Sequence, residues 1–349
     1  MSIPSSSSPS GGSVATVVSP SNIAFVKYWG ARDLERAVPE NASLSMTLRA
    51  CVTRTTARVA DLEQDEILWR GSTDEAELRP PPPAFVERAR RHLDLLRARL
   101  GVDARFRIAT ENSFPAAAGI ASSASGFSAL ALATTAALGL QPSIEEASEL
   151  ARLGGSGSAT RSVAGGYIQW PQTGWDAASE SGGAIEQVAP ASHWDLRDVI
   201  AIVSSGAKGV SSLDGHRRAR SSPFFARRLE TLPERLAIVR RALAEQDFAT
   251  LGREIEAEAI DLHMMAMTSR PPIYYWTAAT LDVLAAVREL RADGVPAWST
   301  MDAGANVHVI CRPAGQEDVV ARLGDVPGVD RCILDGVGDG PRRTAEHLA

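Results

Sequence analysis

Lysine, cysteine and long apolar runs are all scarce in this sequence, and each scarcity excludes a class of protein. Of the 36 basic residues, 34 are arginines, and only Lys27 and Lys208 are lysines. With a net charge of −6 and no lysine-rich tract, the chain is a poor candidate for binding nucleic acid or a membrane surface. No apolar run approaches the roughly 20 residues that a transmembrane helix needs. We therefore expect neither a nucleic-acid partner nor a membrane.

Cysteine usage and the first residues indicate the cellular compartment. The three cysteines, Cys51, Cys311 and Cys332, are widely spaced and form no CxxC pair. This pattern argues against a disulfide framework and a zinc site, and it is typical of the reducing cytoplasm, where we expect the protein. The serine-rich start lacks the basic and apolar regions of a secretory signal, so we predict a disordered tail over residues 1–12.

The remaining sequence alternates between strand-like and helix-like patterns. Residues 43–60 alternate at period two, as half-buried strands do, and a β-rich run at Val14–Val18 is expected to stop at Ser19-Pro20. Apolar residues at helical spacing predict helices over 84–100, 123–138, 232–246, 248–267 and 276–292. The sequence predicts an α+β protein with two lobes, at 13–190 and 191–349.

Two glycine–serine loops are the strongest chemical features. Residues 112–126 are small and polar and lead directly into a helix, and backbone N–H groups at such a loop and helix N-terminus can bind an anion. The segment has no GK[ST] and no GxGxxG, so it is neither a Walker loop nor a dinucleotide fingerprint. A serine-rich helix cap is an equally good interpretation of this segment alone. The second loop, GSGSATRS at 155–162, ends near Arg161, which can bind a carboxylate or phosphate or form a surface ion pair.

Two charged residues stand in apolar surroundings. Lys27 ends an otherwise apolar run, where its charge needs a partner. Asp302 lies in a short loop between two apolar strands, and its carboxylate either points at a ligand or forms an Asx-type turn. A Lys27–Asp302 ion pair would satisfy both residues, in a structural or a catalytic role.

Taken together, these segments resemble the mevalonate diphosphate decarboxylase family, within the superfamily of galactokinase, homoserine kinase and mevalonate kinase. The resemblance runs in family order over nearly the whole chain. The matching strings are NIAFVKYWG at 22–30, NASLS at 41–45, ENSFPAAAGIASSA at 111–124, GSATRS at 157–162, VSS at 210–212, PPIYY at 271–275, MDAGAN at 301–306 and GDGP at 338–341.

The resemblance implies a two-lobed small-molecule-kinase fold, with ATP bound by the N-terminal lobe and the active site in a cleft between the lobes. It also implies Mg²⁺ bridged by the ATP phosphates rather than held by protein ligands, a phosphorylated mevalonate as substrate and a homodimer. Asp302 would orient or deprotonate the 3-hydroxyl, Lys27 would stabilise charge there, and Arg161 would hold the substrate carboxylate. The implied substrate-binding residues are Tyr28, Arg88, Ser156, Ser158 and Ser212, and the implied ATP-binding residues are Asn112, Ala118, Gly119, Ser122 and Ser123.

Two departures from the family pattern fall where its members meet the distal phosphate of their substrate: Ala31 replaces the usual lysine after the KYWG string, and Leu213 stands where some members have an arginine. In a third departure, Glu40 precedes Asn41 in place of a small residue. Each lost charge-assisted contact is worth about 1.5–3 kcal/mol. The departures favour mevalonate 5-phosphate as substrate and isopentenyl phosphate as product.

Other readings of the substrate pocket stay open. Mevalonate 5-diphosphate is the alternative substrate, with Arg88, Arg217 or Arg218 taking the place of the missing cations. A non-catalytic metabolite-binding protein that retains the fold is a more remote alternative. The complete set of Lys27, Arg161 and Asp302 argues against the non-catalytic reading.

Overall fold

A computed structural model describes residues 13–73, 75, 77–115, 120–176, 182–204 and 209–348. The predicted tail over 1–12 lies outside these residues. The strands are β1 (Val14–Val26), β2 (Ala31–Asp33), β3 (Val38–Pro39), β4 (Ser43–Ala60), β5 (Glu66–Arg70), β6 (Arg105–Asn112), β7 (Tyr167–Trp170), β8 (Glu186–Ala189), β9 (Arg197–Ile202), β10 (Ala297–Thr300), β11 (Val307–Cys311), β12 (Arg331–Gly336) and β13 (Arg342–Thr344). The helices are α1 (Pro83–Leu100), α2 (Ser122–Ala137), α3 (Ile144–Arg152), α4 (Ser212–Arg218), α5 (Phe225–Glu245), α6 (Phe248–Thr268), α7 (Ala278–Ala292) and α8 (Gln316–Gly324).

Two sheets organise the α+β fold. The first has the order β13-β1-β4-β6-β5, and β7 joins it by pairing with β4 and β8. The second has the order β10-β11-β9-β12, and β2 and β3 form a small separate ribbon. The predicted lobe boundary at 190 falls between β8 of the first sheet and β9 of the second. However, the C-terminal strand β13 returns to the first sheet and pairs with β1.

Four of the five predicted helices begin and end within two residues of their predicted bounds, because local signals define them. The helix predicted over 232–246 is the exception: α5 begins at Phe225, seven residues earlier, where no side chain caps its first turn. α1 begins at Pro83, the last of four consecutive prolines, and is capped by Gly101, which adopts a left-handed conformation with φ 68° and donates its N–H to the Arg97 carbonyl. Ser143 and Glu146 form a capping box at the start of α3, with both reciprocal hydrogen bonds in place. α2 is buried on nearly all sides, as a central helix between two layers is.

The expected end of the first strand at Ser19-Pro20 is wrong. β1 continues through Pro20 to Val26 and pairs with β4 on both sides of a register shift between Pro20 and Asn22. Proline cannot donate a hydrogen bond to the ladder, but an irregularity at that point lets the strand continue. This continuation carries Lys27 from the sheet into the space between the two sheets.

The apolar core consists of layers on each sheet and a cluster that joins them. Helices α1, α2 and α3 cover the first sheet, and α7 and α8 pack on the second. The joining cluster combines Phe25 and Met46 of the first sheet, Ile200 of the second, and Leu232 and Ile255 of α5 and α6. The end of β1 and the turn before β11 therefore lie on either side of one continuous core.

The C-terminal segment is held tightly against the loop that follows Arg161. Gly166 donates its N–H to the Gly338 carbonyl, Gly338 to the Thr47 carbonyl, and Thr47 to the Gly166 carbonyl, each at 2.9 Å. A Cβ atom on Gly165 would lie 2.1 Å from the Asp339 carbonyl carbon. Backbone on both sides leaves no flexible side chain to move away.

We expect Gly165→Ala to lower the free energy of unfolding by about 3 kcal/mol, because the added methyl group forces these two backbone segments apart. Gly126→Ala is the matched control. Gly126 lies within α2, and its Cβ would meet nothing within 4 Å. This variant should be stabilised by up to about 1 kcal/mol. Chemical denaturation measures both changes, and equal stability of the two variants would contradict the packing argument.

Candidate active site

Lys27 and Asp302 form the ion pair that the sequence predicts. The Lys27 side chain is 1% exposed, and its Nζ lies 2.9 Å from Asp302 Oδ1. Nζ also donates to Thr300 Oγ1 at 2.8 Å and to the Ala24 carbonyl at 2.6 Å. These three contacts match the three donors of an ammonium group. The ion pair joins the end of β1 to the loop between β10 and β11.

Burial and the ion pair act in opposite directions on both pKa values. Burial lowers the pKa of Lys27, and Asp302 and Glu258 oppose that effect. For Asp302, burial alone would raise the pKa, but Lys27, with smaller effects of His308 and Arg161, brings it below its ordinary value. Asp302 is therefore a carboxylate at neutral pH. Its side chain is 24% exposed, so it can still meet a ligand.

Arg161 is buried rather than exposed, so its interpretation as a surface ion-pair partner is wrong. It lies in a 3₁₀ segment, Gly157–Val163, and is 2% exposed. Its Nε donates to Ser45 Oγ at 3.0 Å, and its two terminal nitrogens donate to Ser43 Oγ at 2.5 Å and Asn22 Oδ1 at 3.4 Å.

The partners of Arg161 leave its charge without a counter-ion in direct contact. All three described partners are neutral, and within the described part of the chain Arg161 forms no ion pair with a carboxylate. Burial lowers its pKa to about 10, against opposing effects of Asp302 and Tyr28, so it remains charged at neutral pH. A buried cation with neutral partners and unused N–H donors is a suitable binding group for an anion.

A row of serines joins the first glycine–serine loop, at 112–126, to the second, which contains Arg161. Ser123 Oγ lies 3.2 Å from Ser156 Oγ, which lies 3.1 Å from Ser158 Oγ. The Ser158 carbonyl accepts a hydrogen bond from Asn22, the residue that also contacts Arg161. The predicted ATP-binding residue Ser123 and the predicted substrate-binding residues Ser156 and Ser158 therefore lie side by side.

A cavity of about 300 Å³ opens at the N-terminus of α2. Its lining includes the predicted ATP-binding residues Asn112, Ser122 and Ser123, together with Trp69, which stacks on Phe85 at 5.4 Å. No described side chain caps the first turn of α2, and although the Ala124 N–H donates to the Ala121 carbonyl at 2.7 Å, the other N–H groups of this turn can meet an anionic group. The predicted residues Ala118 and Gly119 lie outside the described residues.

Arg88 lies apart from the other predicted substrate-binding residues. It lines the cavity with Ser122 and Ser123, and its guanidinium lies 5.1 Å from the centre of the Phe127 ring. The family pattern gave only its position on α1, whereas the direction of its side chain depends on how α1 packs against α2. Its assignment to the substrate stays a prediction, and its location favours the nucleotide side.

Tyr28 and α4 form another wall of the site. The Tyr28 ring lies 5.3 Å from Trp170 and 4.4 Å from His216, and His216 Nδ1 accepts the Gly30 N–H at 3.0 Å. Burial lowers the pKa of His216 to about 3, with a smaller effect of Arg228, so the ring is a neutral acceptor. The predicted residue Ser212 begins α4 and is exposed.

The departures from the family pattern lie close to this wall. Ala31 begins β2, and Leu213 is in the first turn of α4. The Glu40 carboxylate forms an ion pair with Arg220. Of the arginines expected to replace the missing cations, Arg217 pairs with Asp214 at 2.9 Å, and Arg218 donates to the Pro271 carbonyl at 3.4 Å.

Sequence reasoning missed several residues that hold the site together. Thr300, Ser43 and Ser45 contact Lys27 or Arg161 directly, although the two serines lie in a matching string and were available as candidates. The Arg220–Glu40 pair spans 180 residues, and no local pattern points to it.

Across the described ranges there is no group of three or more His, Cys, Asp or Glu residues that could hold a metal ion. None of the described helices is both long enough and apolar enough to cross a bilayer.

Two protein-family models match most of the chain. The model described as "Diphosphomevalonate decarboxylase-like N-terminal domain" matches residues 19–181. The model described as "Mevalonate 5-diphosphate decarboxylase C-terminal domain" matches residues 198–343. The gap between the models, residues 182–197, contains β8 of the first sheet and ends at the start of β9 in the second.

Full-length relatives and solved structures agree with these matches. The diphosphomevalonate decarboxylase of Candida albicans is 33% identical over 366 residues, covering 96% of this chain and 99% of the relative. A crystal structure of mevalonate diphosphate decarboxylase from Staphylococcus aureus has a TM-score of 0.86 and 31% identity, covering 95% of this chain and 98% of that chain. A structure of MDDEF in complex with MVAPP, AMPPCP and magnesium has a TM-score of 0.85 and 34% identity, covering 95% and 99%. The predicted small-molecule-kinase fold is confirmed.

Proposed function

The chain belongs to the diphosphomevalonate decarboxylase family, and from that membership we propose that it converts mevalonate 5-diphosphate and ATP to isopentenyl diphosphate, carbon dioxide, ADP and phosphate. The observation that carries the proposal is the 2.9 Å ion pair between Lys27 and Asp302, with the buried Arg161 close enough to act on the pKa values of both. The sequence-based preference for mevalonate 5-phosphate is not supported by the cited relatives, which are described as diphosphomevalonate or mevalonate diphosphate decarboxylases.

ATP supplies the phosphoryl group that turns the 3-hydroxyl into a leaving group, and Mg²⁺ would supply positive charge to stabilise the phosphates during transfer. The cavity at the N-terminus of α2 suits a nucleotide, because Ser122, Ser123 and uncapped N–H groups line it. In the resting site, the row from Ser123 to Ser158 connects this cavity to Arg161. This arrangement supports a nucleotide and an acidic substrate lying next to each other.

Asp302 accepts the hydrogen bond of the 3-hydroxyl and aligns its oxygen for transfer. A tertiary alcohol is too weak an acid to lose its proton early, so alignment is the larger effect, and Asp302 takes the proton as the new O–P bond forms. Lys27 stabilises negative charge on Asp302 and on the transferring group. Arg161 holds the C1 carboxylate. The C3–O bond then breaks, and the electrons of the C1–C2 bond form the C2=C3 double bond as carbon dioxide leaves.

Mevalonate 5-phosphate remains the second candidate because of the residues near the distal end of the site. Ala31 brings no cation to β2, and Glu40 brings a carboxylate that engages Arg220. A second phosphate would compete with Glu40 for Arg220, whereas a monophosphate would leave that pair intact. Arg220 is 62% exposed but Glu40 only 8%, so breaking the pair would leave a mostly buried carboxylate without its cation.

The test compares kcat/KM for the two substrates in one assay of ADP release. We expect mevalonate 5-diphosphate to be preferred by at least about tenfold. Ala31→Lys should increase that preference further, because it adds a cation on the distal side, and Ala31→Met controls for added bulk. A preference for the monophosphate would overturn the proposed substrate. Release of neither ADP nor carbon dioxide with either substrate would support the non-catalytic alternative.

Arg88→Ala tests on which side of the site Arg88 acts. We expect the KM for ATP to rise by about tenfold, with the KM for the mevalonate substrate nearly unchanged, because Arg88 shares a cavity with Ser122 and Ser123. Arg91→Ala, on the same helix, is the control, since Arg91 is 64% exposed and lies 3.8 Å from Glu35. A rise confined to the KM for the mevalonate substrate would restore the assignment made from the family pattern.

Two further predictions from the sequence, a homodimer and a cytoplasmic location, stay predictions. The structure describes a single chain.

A further inference from the structure

The backbone of Lys27 is held by side chains rather than by the sheet. The pairing of β1 with β4 ends at Val26. The Lys27 N–H donates to Glu258 Oε1 at 3.1 Å, and its carbonyl accepts from Asn41 Nδ2 at 2.9 Å and from Arg228 at 3.0 Å. Three buried side chains thus satisfy the backbone N–H and carbonyl of Lys27. Two of them, Arg228 and Glu258, belong to α5 and α6.

Glu258 is the centre of this arrangement. It is 0% exposed, forms an ion pair with Arg228, and accepts from Arg235 at 2.6 Å through its second oxygen. Burying a carboxylate and a guanidinium costs several kcal/mol of desolvation per ion, and a well-packed apolar pair is often equally stable or more stable. Stability alone therefore does not account for a buried charge network at this place, whereas its contacts to Lys27 suggest a role in the reaction.

We propose that Glu258, supported by Arg228, is a positioning residue that fixes the Lys27 backbone and so holds the Lys27 ammonium against Asp302 and the transferring phosphoryl group. The assignment of Lys27 to phosphoryl transfer rests on the proposed function. The contacts of Glu258 with Lys27 and Arg228 do not depend on it.

Glu258 also acts on Lys27 through its charge. The charged groups that act on Lys27 are Asp302 from the loop before β11, Glu258 from α6 and Arg161 from the 3₁₀ segment. Arg228 from α5 contacts its carbonyl, and the buried Asp198 of β9 is close enough for Lys27 to lower its pKa. Burial lowers the Lys27 pKa, Asp302 and Glu258 raise it, and Arg161 lowers it. Neutralising Glu258 must therefore lower the Lys27 pKa, so Lys27 loses its proton at a lower pH.

The kinetic test uses Glu258→Gln with Glu254→Gln as the matched control. Glu254 lies one turn earlier on α6 and contacts Arg235 Nε at 3.2 Å, and no described hydrogen bond or ion pair joins it to Lys27. We expect Glu258→Gln to lower kcat by about tenfold or more, with little change in KM, and to move the alkaline limb of the kcat–pH profile about one unit lower. Glu254→Gln should change neither. Equal effects of the two variants, or an unmoved alkaline limb in Glu258→Gln, would overturn the proposal.

Glu258→Asp separates position from charge and serves if Glu258→Gln does not fold. The shorter side chain keeps the negative charge but withdraws the oxygen from the Lys27 N–H. We expect Glu258→Asp to have a lower kcat than the unmodified protein, but the alkaline limb of its kcat–pH profile should stay at the same pH. Unchanged kcat in Glu258→Asp would show that the contact with the Lys27 backbone does not matter, and this result would also overturn the proposal.

The scarcity of lysine allows a readout that needs no activity. With only Lys27 and Lys208 in the chain, protein labelled with ¹³C at lysine Cε gives two signals, and Lys208→Arg assigns them. We expect the Lys27 signal to titrate at a lower pH in Glu258→Gln than in the unmodified protein and in Glu254→Gln. A Lys27 titration unaffected by Glu258→Gln would refute the effect of Glu258 on Lys27. Absence of ADP release by the unmodified enzyme would refute the proposed function. The lysine titration would still show whether Glu258 raises the pKa of Lys27.

Discussion

Asp302→Asn is expected to lower kcat by at least about 1000-fold while substrate binding is largely kept. Asparagine has nearly the same shape, so the loop before β11 should remain in place. The variant loses the charge that accepts the proton of the 3-hydroxyl, and it presents an amide that cannot take that proton. A 1000-fold loss corresponds to about 4 kcal/mol of transition-state stabilisation, which is within the range for lost alignment and charge together.

The measurement follows ADP and carbon dioxide separately in steady state. Both should fall in parallel in Asp302→Asn, because decarboxylation depends on prior phosphorylation of the 3-hydroxyl. Asp293→Asn, at the exposed end of α7, is the control and should retain full activity. A kcat within tenfold of the unmodified enzyme would exclude Asp302 as the group that aligns the hydroxyl.

The pH dependence expected for Asp302 follows from the direction of its pKa. The folded-state pKa lies below its ordinary value because Lys27 stabilises the carboxylate. The ion pair therefore contributes stability above the ordinary aspartate pKa, and this contribution is lost as the pH falls through the depressed value. Activity controlled by Asp302 should thus have no acid limb near neutrality.

The sequence predicts those parts of the site in which a charged side chain stands in apolar surroundings, because burying such a charge without a partner costs free energy. Lys27 ends an apolar run and Asp302 lies between apolar strands, so each required a partner, and the structure brings them to 2.9 Å. Most helix bounds were predictable because caps such as Ser143 and Gly101 act within a few residues, whereas the uncapped start of α5 was not.

The remaining features depend on distances along the chain that no local pattern encodes. Arg161 is buried because Ser43 and Ser45, more than 110 residues away, provide hydroxyl groups on β4. Glu258 meets Lys27 across 231 residues. The direction of Arg88 is decided by the packing of α1 against α2 and Phe127. Periodicity predicts which face of an element is buried, but not which distant element covers it.

Arg161→Gln is expected to lower kcat/KM for the mevalonate substrate by about 1000-fold. Glutamine can keep a hydrogen bond to the serines of β4 but loses the charge and the fork of N–H donors that suit a carboxylate. The cation closest to this site, Lys27, is already engaged by Asp302, Thr300 and the Ala24 carbonyl, so it should not take the place of Arg161. Arg161→Lys should recover only part of the loss, since an ammonium is a point charge without the fork.

The ratio of products distinguishes a role in holding the C1 carboxylate from a role in phosphoryl transfer. If Arg161 holds the carboxylate, the variant should release less carbon dioxide than ADP, and a 3-phosphorylated substrate should be detectable. Arg99→Gln is the control because Arg99 forms an ordinary exposed ion pair with Glu149 at 3.1 Å, the role that the sequence alone left open for Arg161. Loss of such a pair changes stability by at most about 1 kcal/mol and should leave kcat/KM unchanged. If Arg161→Gln is as active as Arg99→Gln, Arg161 does not act on the substrate. Its role would then be structural, through its hydrogen bonds to Ser43, Ser45 and Asn22.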